Sequence, residues 1–305
     1  MSIRARAVRR TFGNHVAVEH ADVDVAPGSV TGLIGPNGSG KTTLLLTLAG
    51  LLAPDSGSVS VAGADPVSDG PGARARIGWM PDQVGAWETL TAREIVASFG
   101  RLYGMARPEA ESKAEELLRE VDLAEFSDRR VRVLSRGQKQ RLSLARALVH
   151  DPEVLLLDEP ASGLDPDSRM ALRGILRRRA VAGAAIVVSS HILPELEEMV
   201  DDVIMMRAGR TLPATSTSGA PVWRLDVDGG PETPAAATLR RWAASEDPGR
   251  GIVLGATDAG TWAEFRAEPP EASALLGRAA AGGVIVASFG RRTLEARYLE
   301  WRAEQ

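Results

Sequence analysis

Three short stretches of the chain gather side chains that handle phosphate. Residues 35–42 read GPNGSGKT, with glycines at 35, 38 and 40 ahead of Lys41 and Thr42. Between a strand and a helix, such a run wraps so that backbone N–H groups point inward at an anion, and the helix adds its positive end. Lys41 is placed to reach outer phosphates, and the Thr42 hydroxyl suits a bound Mg2+. The chain has only three lysines, and one falls where a compact point charge is needed. A glycine-rich turn that merely precedes a helix is the bland alternative.

The second stretch, LLLDEP at residues 155–160, sets Asp158 and Glu159 at the end of an apolar run. Asp158 can sit beyond Mg2+ opposite Thr42, while Glu159, across the pleat, can polarise an attacking water. A solvated acidic turn after a strand would read the same in isolation; the upstream glycine loop tips the balance toward chemistry. His191 follows Ser189 and Ser190 and is the one histidine at the end of a predicted core strand. It is placed to hydrogen-bond a terminal phosphate or the attacking water, although a lone histidine is more often structural.

The third stretch, VLSRGQKQRL at residues 133–142, carries Ser135 followed three residues later by Gln138, a capping box that opens a helix. Around that helix start stand a hydroxyl, Gly137, an amide and three cations, which reads as a second anion site.

The elements that must position these groups alternate strand and helix over the first two hundred residues, the pattern of an α/β domain. Residues 30–34 read as a buried strand ending in the glycine turn, and 42–52 as a buried helix, apolar nearly all round. The runs 153–157 and 185–189 suit central parallel strands, and 203–206 a strand entering a turn. Residues 88–150 look helical: Thr91 and Glu94 form a capping box, Pro108 opens a run to Val121, and Ser135 starts a third helix. This predicts a helical subdomain inserted into an α/β core. Composition shifts at 211–221, a small, polar, proline-bounded linker. From 222 to 305 the chain holds four of its six tryptophans and no lysine. Strand-like 222–227 and 283–288 flank a helix-like 234–244, predicting a small α+β accessory domain without an interpretable motif.

Composition bounds the function. The 305 residues are 44% hydrophobic with a net charge of -4, which disfavours nucleic-acid binding and a basic membrane anchor. There is no cysteine, so disulfides and thiolate metal sites are excluded. No signal peptide precedes the first strand-like segment, and the longest apolar run, 44–53, is far short of the roughly 20 residues that span a bilayer.

Taken in order, residues 35–42, 134–138 (LSRGQ), 155–159, 161–165 (ASGLD) and His191 resemble the ATP-binding subunit of ABC transporters, over residues 1 to about 210. The resemblance implies a P-loop NTPase core, a mostly parallel sheet with an N-terminal antiparallel part. It implies ATP held by Gly35, Asn37, Gly38, Ser39, Gly40, Lys41, Thr42 and Thr43. Phe12 resembles the ring that stacks on adenine, with ordinary packing as the alternative. Mg2+ would be served by Thr42 and Asp158, with Glu159 and His191 catalytic. In this family two copies pair head to tail, so Ser135, Arg136, Gly137 and Gln138 would face the nucleotide held by the partner copy. That answers why one chain needs two anion sites.

Two positions depart from the family pattern. Arg136 stands where glycine is commonest, and the slot usually filled by a glutamine near Mg2+ holds Asp82, with Gln83 next; either is open for the role. The Pro-Asp-x-x-Gly segment at 81–85 and the run SSHI at 189–192 resemble drug-efflux members of the ABC-2 type, which points to export. The expected partners are a second copy or a similar ATPase and separate transmembrane permease subunits, received near residues 84–100. The expected location is cytoplasmic, peripheral on the inner face of the membrane. The rival reading is a non-transport ABC ATPase of translation, repair or resistance.

Overall fold

The computed structural model describes residues 2–82, 87–197, 199–212, 215–216, 220–246, 251–257 and 260–293. The chain divides into two compact units, Met1–Ser216 and Thr217–Gln305.

The first unit is built on one mixed sheet. Strands β1 (Ile3–Phe12) and β2 (His15–Val25) form an antiparallel hairpin, flanked by β4 (Ser56–Val61). Ile3, Ala5, Val8, Val18, Ala21, Val23 and Val25 are buried along the hairpin, with exposed residues between them, as a half-solvated sheet requires. The parallel half contains β3 (Val30–Ile34), β5 (Ile77–Met80), β6 (Val154–Leu157), β7 (Ala185–Ser190) and β8 (Asp202–Arg207), in the order β8-β3-β7-β6-β5. Every residue of β3, β6 and β7 is buried, the mark of strands covered on both faces. The short β9 (Arg210–Thr211) joins the halves, parallel to β2 and antiparallel to β8. It follows a turn in which Ala208 and Gly209 both have positive φ, +46° and +77°, the geometry a tight hairpin demands. The segment expected as a linker supplies Thr211 to β9 and a further strand, β10 (Thr215–Ser216), paired with β8.

Helix α1 (Lys41–Leu48) follows β3 after the glycine loop 35–40. It is shorter than the helix expected over 42–52. Gly50 adopts φ +66° and the Leu51 N–H turns back to the Leu46 carbonyl at 3.0 Å, so the backbone closes the helix although apolar residues continue. Helices α3 (Ala92–Leu102), α4 (Arg107–Glu120) and α5 (Arg136–Leu148) form the inserted helical region. The capping boxes at Thr91 with Glu94 and at Ser135 with Gln138 are both present. Short α2 (Gly70–Arg74), long α6 (Pro166–Val181) and short α7 (Leu193–Glu197) complete the unit. Among the described residues no helix is long and apolar enough to cross a membrane.

The second unit runs β11 (Val222–Asp228), α8 (Pro234–Ser245), β12 (Val253–Ala256), β13 (Gly260–Arg266), α9 (Pro269–Ala281) and β14 (Ser288–Arg291). Its antiparallel sheet has the order β12-β13-β11-β14, a βαββαβ arrangement of the ferredoxin-like kind. Leu225, Val227, Leu239, Trp242, Ala263, Phe265 and Leu275 make its core. The strand expected over 283–288 begins only at Ser288. Gly283 takes φ +84° and the Val284 N–H bonds back to the Ala279 carbonyl at 3.0 Å, so the apolar residues there close α9 first.

Candidate functional site

The loop between β3 and α1 is shaped by two glycines that nothing else could replace. A Cβ on Gly35 would run into the Met206 carbonyl oxygen, and one on Gly40, at φ +106°, into the Ala17 carbonyl oxygen. Inside this wrap Lys41 is only 7% exposed. Its ammonium donates to the carbonyls of Gly35 at 2.7 Å and Pro36 at 3.3 Å. Burial pushes the Lys41 pKa below its ordinary value, against the opposing pull of Glu159 and Asp158. Ser39 is buried, its N–H bonded to the Pro36 carbonyl at 3.1 Å and its carbonyl to the Gly209 N–H at 3.0 Å. The loop is thus pinned both to itself and to the β8–β9 turn.

The acids sit where β6 ends. Asp158 is 1% exposed, and both its oxygens are engaged: Thr42 Oγ1 donates to Oδ2 at 2.7 Å and Ser189 Oγ donates to Oδ1 at 2.5 Å. Its N–H extends the sheet by bonding the Met80 carbonyl at 2.8 Å. Glu159 breaks from the strand with φ +51°, a left-handed conformation that costs a non-glycine residue about 1–3 kcal/mol and persists only where the surroundings hold it. They do so from three sides. The Glu159 N–H donates to Ser189 Oγ at 2.9 Å, its carbonyl accepts from Gln140 Nε2 at 2.9 Å, and its carboxylate accepts from His191 Nδ1 at 2.9 Å.

A cavity of about 270 Å3 gathers half of the predicted residues. Asn37, Gly38, Gly40, Lys41, Thr42, Thr43, Asp82, Asp158 and Glu159 line it, together with His15 and Ala17. Gly35, Ser39 and His191 are not in the lining; the first two belong to the same loop, and His191 hydrogen-bonds the Glu159 carboxylate. Phe12 ends β1 opposite His15 in the hairpin register, 47% exposed, with the Arg10 guanidinium 5.0 Å from its ring centre. Gln83 lies outside the described residues, whereas Asp82 is at the cavity wall.

Ser135–Gln138 are not part of that lining. Ser135 caps α5, its Oγ accepting the Gln138 N–H at 3.2 Å while Gln138 Oε1 accepts the Ser135 N–H at 2.8 Å. Arg136 turns away along the loop after Glu159, donating to Ser162 Oγ at 2.9 Å. Four residues at or behind the site escaped sequence reasoning: His15, Ala17, Gln140 and Ser189. The first two follow Phe12 closely on the same hairpin. A hydroxyl at the end of the otherwise apolar run 185–188 was the one visible signal for Ser189.

The arrangement presents backbone N–H groups and a desolvated lysine to an anion. It sets a hydroxyl–carboxylate pair beside them and a second carboxylate, held by a histidine, at the edge. That is the equipment of nucleotide hydrolysis. Comparison with known proteins agrees. The family model described as ABC transporter matches residues 18–162. The chain is 36% identical to Nod factor export ATP-binding protein I of Cupriavidus metallidurans over 210 residues, 69% of each chain. It is 36% identical over 211 residues to the daunorubicin resistance ATP-binding protein DrrA3 of Streptomyces coeruleorubidus, 69% of this chain and 67% of that one. A dimeric structure of a bacterial ABC transporter cassette superposes with a TM-score of 0.66 at 25% identity, covering 71% of this chain and 99% of that one. The chain belongs to the ABC transporter family, as an ATP-binding and ATP-hydrolysing subunit.

Proposed function

We propose that two copies of the chain, or one copy and a similar ATPase, close head to tail over two ATP molecules and so drive export through separate membrane-spanning subunits. The observation that carries this reading is the separation of the two anion sites. The helix start at Ser135 is formed and capped, yet it is absent from the lining of the cavity in its own chain. A second copy supplies it. The superposable cassette is dimeric, and the two curated relatives are named for export and for drug resistance, which supports the direction.

In this reading Lys41 and the N–H groups of 38–43 hold the outer phosphates, and Phe12 and His15 border the base. Mg2+ fits the donors present. Thr42 and Asp158 offer two hard oxygen ligands, and no cluster of three acidic or histidine ligands competes among the described residues. That matches an ion that binds through one or two side chains and completes its shell with phosphates and water. The ion would screen charge on the phosphates. Glu159 holds the attacking water and takes its proton, while His191 keeps the carboxylate in place. Asp82 is the described candidate for the role near Mg2+ shared with Gln83. Exposed apolar residues, Trp87 at 48% and Leu102 at 74%, support docking of the membrane subunit on the helical region.

The test is a Glu159→Gln variant in excess ATP. It should bind nucleotide, stall hydrolysis and accumulate as a dimer by light scattering; a monomer under those conditions would refute the shared pocket. Reconstitution with the membrane subunit tests export, and ATP turnover without ATP-dependent transport would sink it.

A further inference from the structure

Glu159 is the residue on which the proposed hydrolysis turns, and its backbone is the most constrained feature of the site. Two of its holds come from the end of β7 and the residue after it: Ser189 takes the N–H and His191 takes the carboxylate. The third comes from a different element, α5. Gln140 lies on α5, 4% exposed, and its amide donates to the Glu159 carbonyl at 2.9 Å. The same carbonyl accepts the Ser162 N–H at 3.1 Å, which closes the turn after the acid.

A buried amide is costly unless it is bonded, so its place among buried α5 residues that are apolar apart from Ser143 calls for a reason. Leu144 and Leu148 continue its face of the helix and are buried with ordinary apolar packing. A leucine at 140 would satisfy packing alone. The amide instead meets a residue whose φ of +51° tends to relax.

We infer that Gln140 is a positioning residue for hydrolysis, fixing the left-handed turn at Glu159 so that its carboxylate stays aimed at the attacking water. The inference rests on the reading of Glu159 as the group that accepts the proton. Gln140 touches no reacting atom and acts through Glu159. The helix whose first turn carries Ser135 therefore also carries an anchor for the acid of its own chain.

The test is a double-mutant cycle on the full chain. Gln140→Met and Gln140→Leu keep most of the side chain's bulk and remove the donor. Each is expected to lower kcat for Mg·ATP about ten- to a hundredfold, the scale of an ångström-sized misplacement, with KM changed less than twofold. In a Glu159→Gln background neither should lower the residual turnover further. Unchanged kcat in a folded Gln140 variant overturns the inference, as does an equal loss in the Glu159→Gln background, because the effect would then bypass Glu159. A rise in KM at constant kcat also overturns it. Full turnover in Glu159→Gln alone overturns the assignment of the base and this inference together, so the two failures are told apart.

Discussion

Replacing Lys41 by methionine separates what the lysine does for nucleotide from what it does for the fold. Lys41 is 7% exposed, and its ammonium donates to the Gly35 and Pro36 carbonyls. Burial lowers its pKa, so the charged form is penalised in the folded state. The sign follows: below the depressed folded pKa the full penalty is present, and it is released as pH rises from there toward the ordinary value of 10.5. At neutral pH removal of the charge therefore spares stability, whereas most buried substitutions cost about 0.5–3 kcal/mol. Nucleotide reverses the balance. A charge-assisted phosphate contact contributes about 1.5–3 kcal/mol, so its loss weakens binding by about ten- to a hundredfold or slightly more. At Mg·ATP near a hundred times Kd the wild type gains about 2.7 kcal/mol, or roughly 5–11 °C in Tm. With binding a hundredfold weaker the gain falls to about 0.4 kcal/mol, roughly 1 °C. Thermal unfolding with and without Mg·ATP reads both numbers. A variant that keeps the wild-type shift, or that melts several degrees lower without nucleotide, would refute this account of the loop.

Two further outcomes follow from packing and burial. His150 stacks on Tyr103 with ring centres 3.7 Å apart, and its Nε2 donates to the Ile77 carbonyl at 3.1 Å. Burial lowers its pKa, a pull opposed by the Ile77 hydrogen bond and by Asp151, so the wild type loses stability as pH falls below 6.5 and protonation of the unfolded chain takes hold. His150→Phe keeps the stack and should show a shallower decline of Tm with acid; an identical pH profile contradicts it. In the C-terminal unit a Cβ at Gly255 would strike the Trp262 indole. Gly255→Ala should destabilise that unit by about 1–3 kcal/mol, and tryptophan fluorescence melting like the wild type would contradict it.

The features legible in the sequence are those whose cause is local. The glycine loop, the capping boxes at Thr91 and Ser135, the buried runs of β3, β6 and β7 and the acid pair each announce themselves within about ten residues. Where the cause is tertiary, the sequence is silent. Gln140 and Ser189 stand 19 and 30 residues from Glu159, and nothing in their neighbourhoods points to it. In the C-terminal unit, β12 (VLGA) is mostly exposed and short, and α9 is rich in alanine. Neither offers the contrast between apolar and polar positions on which a periodicity reading depends. Their pairing with β13 and packing on the sheet define them instead.

Arg136 shows how the structure changes the meaning of a departure from pattern. A long cation at the first position of α5 raises the question of whether it covers the helix start that the partner's phosphate would need. Its side chain lies the other way. The guanidinium reaches Ser162, and a Cβ on Gly163 would stand 3.1 Å from Arg136 Nε, so the side chain is laid along that loop. Gly163 has φ +73° and no side chain, which leaves the room. The Arg136 guanidinium is thus tied to that loop, and the N–H of Gln138 at the head of α5 is taken by Ser135 Oγ rather than by the arginine. Charge makes that useful on the head-to-tail reading. ATP brings about -4, Mg2+ and Lys41 about +3, and one helix start about +0.5, so these groups alone fall short of neutrality by about half a charge, before the Asp158 and Glu159 carboxylates are counted. The start of α5 supplies about that amount. Arg136 adds to the same field from the side, and a glycine there would leave the loop after Glu159 without this tie.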